Sequence, residues 1–182
     1  MFFNFKITKL RCAYKYTCFL FVSILTFLNT YSQVAPTKAS DRLNGLSQRK
    51  LLQDQSLLKD IKFRNIGPSI MSGRVVDVDV NPNDPTEFYV AYATGGLWHT
   101  TNNGQSFVPV FDREDVIGIG DIAVNWHDGE IWVGTGEANS SRSSYSGIGV
   151  YKSIDTGRTW QYLGLPESQH IGKIILSFNR EQ

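Results

Sequence analysis

The chain states one pattern twice. Gly96-Leu97-Trp98-His99-Thr100-Thr101-Asn102-Asn103-Gly104-Gln105-Ser106-Phe107 and Gly149-Val150-Tyr151-Lys152-Ser153-Ile154-Asp155-Thr156-Gly157-Arg158-Thr159-Trp160 each open with a small, an apolar and an aromatic residue. Both continue as Ser/Thr-x-Asp/Asn-x-Gly-x-Ser/Thr-aromatic, and the copies lie 53 residues apart, from Gly96 to Gly149. A repeat of that length marks blades or solenoid units, which bury their apolar faces only by stacking on neighbours.

The text around each copy reads as short strands between turn residues. Val75 to Val80 alternates and stops at Asn81-Pro82-Asn83-Asp84-Pro85; Glu87 to Thr94, Leu97 to Thr101 and Gln105 to Phe111 complete a four-stranded meander. The second unit repeats the order with Gly118 to Trp126, the Asp128-Gly129 turn, Glu130 to Gly136, a long loop, Ile148 to Ser153 and Thr159 to Gly164. Asp-Gly and Asn-Gly suit two-residue hairpins. Two four-stranded antiparallel sheets in series predict an all-β chain, two blades of an incomplete β-propeller at about 73–111 and 117–164. A third unit opens at about 170–178, where His170-Ile171-Gly172-Lys173-Ile174-Ile175 resembles Ile117 to Ala123. Phe63 to Ile66 parallels Trp160 to Leu163, which predicts an outer strand belonging to a last, absent blade. Two blades leave two apolar faces wet, a loss on the order of 10 kcal/mol if each exposes a few hundred Å².

Residues 1–32 are set apart from this fold. Lys6, Lys9, Arg11 and Lys15 precede an apolar run of 11 residues, Cys18 to Leu28, and Thr30-Tyr31-Ser32 offers a small-x-small cleavage site. That is the composition of an export signal, and the run falls short of the roughly 20 residues a membrane span requires. Export to the periplasm, the cell surface or the medium is therefore expected. Removal of the segment takes four of the 18 basic residues and none of the 17 acidic ones, which moves the formal charge from +1 to −3. Both cysteines, Cys12 and Cys18, leave with it, so no disulfide staples the remainder. With no Lys/Arg run in a mildly acidic chain, nothing marks a nucleic-acid or anionic-membrane partner. Residues 33–60 read as a polar leader or linker with partly helical leucine spacing, which Asn44-Gly45 interrupts, so a short helix or a mobile leader is expected.

Consecutive turns of a meander lie at opposite ends of a blade. The turns at Pro82 to Pro85 and Asp128-Gly129 therefore share one face with both copies of the repeated motif. The long loop Glu137 to Gly147 and the inter-blade connections share the other, and a ligand site is expected on that second face. It carries Arg74, Glu114, Asp115, Glu137, Arg142, Tyr145 and His170. The ligand-binding candidates are Arg74, Glu137, Arg142, Tyr145 and His170. Glu137 is the candidate acid for a glycosidase, which requires two carboxylates about 5 to 9.5 Å apart; the competing reading makes Glu137 and Arg142 a solvated loop pair. His99, His127 and His170 lack metal-ligand spacing, and neither metal nor cofactor is expected.

The second copy of the repeat matches the Asp-box, the bacterial neuraminidase repeat, at every defining position; the first has Asn102 for the acid and Phe107 for the tryptophan. Thr100, Asn102, Gly104 and Phe107, with Ser153, Asp155, Gly157 and Trp160, are assigned structural roles: a turn-bonding side chain, a backbone that favours glycine, and a ring laid on the sheet. From Phe63 to Ile175 the chain resembles secreted Asp-box propellers of sortilin type, also described as glycosyl hydrolase-like. The likeness rests on Phe63-Arg64-Asn65-Ile66-Gly67-Pro68, Ser72-Gly73-Arg74-Val75, Gly95-Gly96-Leu97-Trp98, Gly134-Thr135-Gly136-Glu137, Gly149-Val150-Tyr151-Lys152-Ser153 and His170-Ile171-Gly172-Lys173-Ile174. It implies further blades in full-length relatives and a surface for a peptide or glycan. The catalytic label does not carry over. Sialidases of similar architecture use an arginine cluster with a Tyr/Glu pair, and related xyloglucanases place an acid just before a Gly-Gly-aromatic strand, where this chain has Ala93-Thr94-Gly95-Gly96.

Overall fold

A computed structural model describes residues 35–61, 73–139 and 144–177. The expected export signal, the expected outer strand at 63–66 and Arg142 lie outside them. The chain divides into two units, Met1–Thr37 and Lys38–Gln182. The described end of the first, residues 35–37, holds no regular element, and the helix and strands below belong to the second.

Among the described residues, eight strands form two four-stranded sheets, each in sequence order. Blade 1 contains β1 (Val75–Val80), β2 (Phe88–Tyr92), β3 (Gly96–Thr100) and β4 (Val108–Pro109); blade 2 contains β5 (Ile119–Asn125), β6 (Glu130–Thr135), β7 (Val150–Ser153) and β8 (Gln161–Gly164). All pairings are antiparallel. β4 is shorter than the expected Gln105 to Phe111. Beyond it the Val110 N–H still donates to the Leu97 carbonyl at 2.9 Å, so the contact with β3 continues past the regular ladder.

The hairpin at Asp128-Gly129 is also larger than the two-residue turn its sequence suggests. Asn125 pairs with Glu130, leaving a four-residue loop. The Asn125 side chain accepts the His127 N–H at 3.1 Å, and Trp126 swings away to donate its indole N–H to Asp79 at 2.7 Å. A side-chain turn and a cross-blade bond together outweigh the local two-residue preference.

The core lies between the sheets. Tyr89, Ala91, Leu97 and Phe111 of blade 1 pack with Ile122, Ile131, Val133 and Tyr151 of blade 2, all nearly free of solvent. Phe111 meets Tyr151 and Trp160 edge to face, with ring centroids 5.3 and 4.9 Å apart. The Trp160 indole donates to the Val110 carbonyl at 2.7 Å. Residues 171–177 form no strand, in contrast to the expected opening strand of a third blade. The Ile171 N–H goes to the carbonyls of Thr135 and Gly136, so this segment is held by loop contacts without a ladder partner. Two face-packed, sequentially ordered meanders with a third segment against the second make an incomplete β-propeller.

The leader stretch holds a helix, α1 (Ala39–Asp54), longer than the short one its sequence allows because it runs straight through Asn44-Gly45. Ala39 is buried and Arg42, Leu43 and Leu46 are partly buried, a spacing of three and four residues that turns one stripe inward. Leu46 packs on the core. A glycine in a helix interior costs about 1 kcal/mol relative to alanine, which docking of this stripe offsets. Among the described residues no helix is long and apolar enough to cross a membrane.

Candidate functional site

Hydrogen bonds sort the loops onto two faces. Asn103 N donates to Thr86 O and Thr156 N to Gly129 O, which joins each repeated motif to the first turn of its own blade. At the other end, Gly147 N donates to Gln169 O and Gly96 N to Ile117 O, which joins the long loop and the inter-blade connections.

On that loop face, Arg74 lies one residue before β1 and Glu137 two residues after β6. Ala93 N donates to Arg74 O at 2.9 Å and Gly136 N to Gly118 O at 2.9 Å, so each backbone is tied to its neighbour. Arg74 Nε donates to Glu137 Oε1 at 2.9 Å, and Nη2 donates to the same oxygen. The Glu137 side chain has no exposed surface, whereas that of Arg74 is 49% exposed. Glu137 is thus a buried tie between blades; the expected pair with Arg142 lies outside the described residues. Its second oxygen, Oε2, is buried without a hydrogen-bond partner. An unmet carboxylate oxygen is costly, and one paired side alone compensates it in part.

The other candidates stand apart from this pair. Tyr145 is largely exposed at the rim of a 460 Å³ cleft shared with Arg49, Thr94, Asp112, Glu114 and Asp115. Burial raises the Glu114 carboxyl, the charge of Asp115 adds to the rise, and Lys50 opposes it. His170 is exposed and belongs to the segment against blade 2. A larger hollow, 700 Å³, opens on the opposite face between Pro82-Asn83 and Trp126 to Asp128. Among the described residues no group of three His, Cys, Asp or Glu is placed to hold a metal ion.

Three basic side chains of α1 also reach the loop face. Arg42 Nη2 donates to Pro166 O at 2.8 Å and Nη1 to Gly147 O, pinning the exit of blade 2 to the long loop. Arg49 pairs with Asp115, and Lys50 Nζ lies 3.0 Å from the same carboxylate. Their signal in the sequence was the stripe Ala39, Arg42, Leu43, Leu46, Arg49/Lys50, hidden because attention to leucines alone omits both arginines.

The repeated motifs are two versions of one turn. Asp155 Oδ1 accepts from Arg158 N, Thr159 N and the Ser153 hydroxyl at 3.0, 2.9 and 2.8 Å, and Oδ2 from the Thr159 hydroxyl at 2.6 Å. These bonds, the Thr159 hydroxyl foremost, hold its carboxyl at about 2. Asn102 Oδ1 accepts from Ser106 N at 2.9 Å and from the Thr100 hydroxyl at 3.0 Å, while its amide donates to the Ser106 hydroxyl at 2.8 Å. Thr100 and Ser153 hydroxyls accept from Gly104 N and Gly157 N, at 3.0 and 2.9 Å. Both glycines have positive φ, +78° and +85°. Phe107 packs edge to face on Phe88, within its own blade.

No protein-family model matches the chain, and no curated protein sequence matches it. Among solved structures it is similar to the GH74 xyloglucanase from Xanthomonas campestris, at 20% identity over 46% of this chain and 14% of the other, with a TM-score of 0.35. An ancestral GH74 enzyme matches at 23% identity over 56% of this chain and 14% of its own, TM-score 0.46. The GH74 enzyme of Niastella koreensis matches at 19% identity over 50% and 14%, TM-score 0.39. The chain therefore spans 14% of each of these proteins.

Proposed function

We propose that this chain is a sector of an exported Asp-box β-propeller of sortilin-like kind, a scaffold that binds a peptide or glycan on its loop face and performs no chemistry of its own. The observation that carries this reading is the state of Glu137. A general acid or base must come within hydrogen-bond reach of its substrate. Glu137 is fully buried and held through Oε1 by Arg74, so the charged group nearest the surface of this pair is the guanidinium, on a side chain 49% exposed. A planar cation with several donors suits carboxylate and hydroxyl groups of a passing ligand. Further blades would supply the rest of the surface.

The alternative is a fragment of a glycoside hydrolase acting on extracellular glycans. It is favoured by the buried Glu137 Oε2, since unpartnered carboxylate oxygens gather at reaction centres. Both readings are separated by exposing the exported chain to immobilised peptides and to a panel of soluble polysaccharides, and by following reducing-end release. Saturable binding that Arg74→Ala weakens by about tenfold, without turnover, is the expected result. Turnover abolished by Glu137→Gln would replace the scaffold reading with the hydrolase. Amino-terminal sequencing of secreted material should begin at Gln33; retention of Met1 would remove export by cleavage from the proposal.

A further inference from the structure

The blades meet near their inner strands by a rule that repeats. β1 has its bulge between Val75 and Asp77, with Asp77 opposite Ala91; β5 has its bulge between Ile119 and Asp121, with Asp121 opposite Gly134. Asp77 and Asp121 therefore hold the same place in successive blades. Asp77 Oδ2 accepts the N–H of Ile122 at 3.2 Å, one residue past the acid of the next blade. Asp121 Oδ2 accepts the N–H of Ile174 at 2.5 Å. By this register Lys173 stands where a third acid would stand.

Beyond that shared bond the two joints differ. At the first, Asp79 Oδ2 accepts Val124 N at 2.9 Å and Asp79 Oδ1 the Trp126 indole at 2.7 Å. At the second, the place of Asp79 is taken by Ala123, and Lys173 Nζ lies 3.1 Å from Asp121 Oδ1. Burial raises the Asp121 carboxyl, the Ile174 N–H and Lys173 lower it, and nearby Asp77 raises it again. A second acid at position 173 would add a like charge there.

The seat itself is cut close. A Cβ on Gly120 would stand 2.0 Å from Ile171 O, one on Gly134 2.4 Å from Ile171 Cγ2, and one on Gly136 1.9 Å from Gln169 O. The corresponding residues of blade 1 are Val76, Ala91 and Ala93, so the first joint keeps side chains where the second keeps backbone.

We infer that blade 2 carries an address for its successor: three glycines and the Asp121 carboxylate accept a closely laid segment in which a basic residue precedes an apolar residue with a free N–H, and reject the acid-bearing strand used at the first joint. The occupant is the chain's own segment Gln169 to Leu176. Sectors of this wheel are thus not interchangeable, and their order is written in side chains at the inner strands.

Amide hydrogen exchange by mass spectrometry on the full chain tests this. Asp121→Ala removes the acceptor and should speed exchange across 169–176 by about tenfold or more, while Asp121→Asn keeps an acceptor, loses only the ion pair and should speed it by about threefold. Lys173→Met should speed exchange by about threefold when Asp121 is intact and leave it unchanged in the Asp121→Asn background, because the ion pair is then already gone. Should Asp121→Ala loosen β5 as well, the Lys173 comparison in the two backgrounds decides. Unchanged exchange at 169–176 in Asp121→Ala, or equal effects of Lys173→Met in both backgrounds, overturns the address.

Discussion

Blade 1 and blade 2 are written in one pattern, yet they spend the same residues differently. In blade 2 the motif ends on Trp160, whose indole crosses to Val110 O and whose ring meets Phe111 of the preceding blade. In blade 1 the motif ends on Phe107, which packs on Phe88 of its own sheet. The β1 side of blade 1 is also the more open, with Val75, Val78 and Val80 exposed, whereas blade 2 is covered by α1 and by the segment after Pro166. The final aromatic of the motif is therefore an inter-blade clamp where a preceding blade stands behind it and a local packing group where none is described. The turn is the repeated part; the clamp depends on the neighbour.

The largest effect should come from removing that clamp. Trp160→Ala deletes a large ring and leaves Val110 O without its partner, with an expected loss of about 3 kcal/mol in urea unfolding. Phe107→Ala should cost about half as much, since Phe107 is only partly buried and its ring forms no hydrogen bond. Equal losses would erase the contrast between the two aromatics.

The seat for the third segment should be nearly as sensitive. Gly136 has φ +84° and no room for a side chain. Gly136→Ala is expected to cost about 2 kcal/mol, from strain and from displacement of Gln169. Its blade 1 counterpart is already alanine, and Ala93→Gly should cost about 1 kcal/mol or less. Thermal melts of both variants at one pH compare them directly.

The smallest effect separates the two turns by charge. Asp155 has a folded value of about 2, below its ordinary 3.8, owing first to the Thr159 hydroxyl and then to backbone N–H groups. A depressed carboxyl contributes stability that is present above the unfolded value and lost as pH falls through about 4 toward about 2. Solvent screens this turn, so the contribution stays below about 1 kcal/mol. Asp155→Asn should flatten that acid limb in denaturation curves, and Asn102→Asp should steepen it. An unaltered limb in both variants would mean that other carboxylates govern it.

Much of the fold was legible because its signals are local. The side-chain bonds of the repeated turns and the alternating Val75 to Val80 act among neighbours in sequence, although Asn103-Gly104 lies inside the seven-residue connection between Thr100 and Val108 and not in the two-residue hairpin its dipeptide suggests. The four-residue hairpin at Trp126 to Gly129 departed from expectation where a distant acceptor, Asp79, intervened. Helix α1 was obscured because Asn44-Gly45 argues for a break and only the docked stripe argues against it. Within the candidate site, Arg74 and Glu137 were both named, but their pairing was not, since 63 residues separate them.

Taken alone, the sequence determined two meanders, their order and the chemistry of their turns, because each rests on contacts among residues a few positions apart. Which acid is buried, which aromatic reaches across and which glycines make room were decided only by the tertiary structure. Those outcomes depend on what one blade meets in the next, and desolvation and close packing act between surfaces that the linear text keeps far apart.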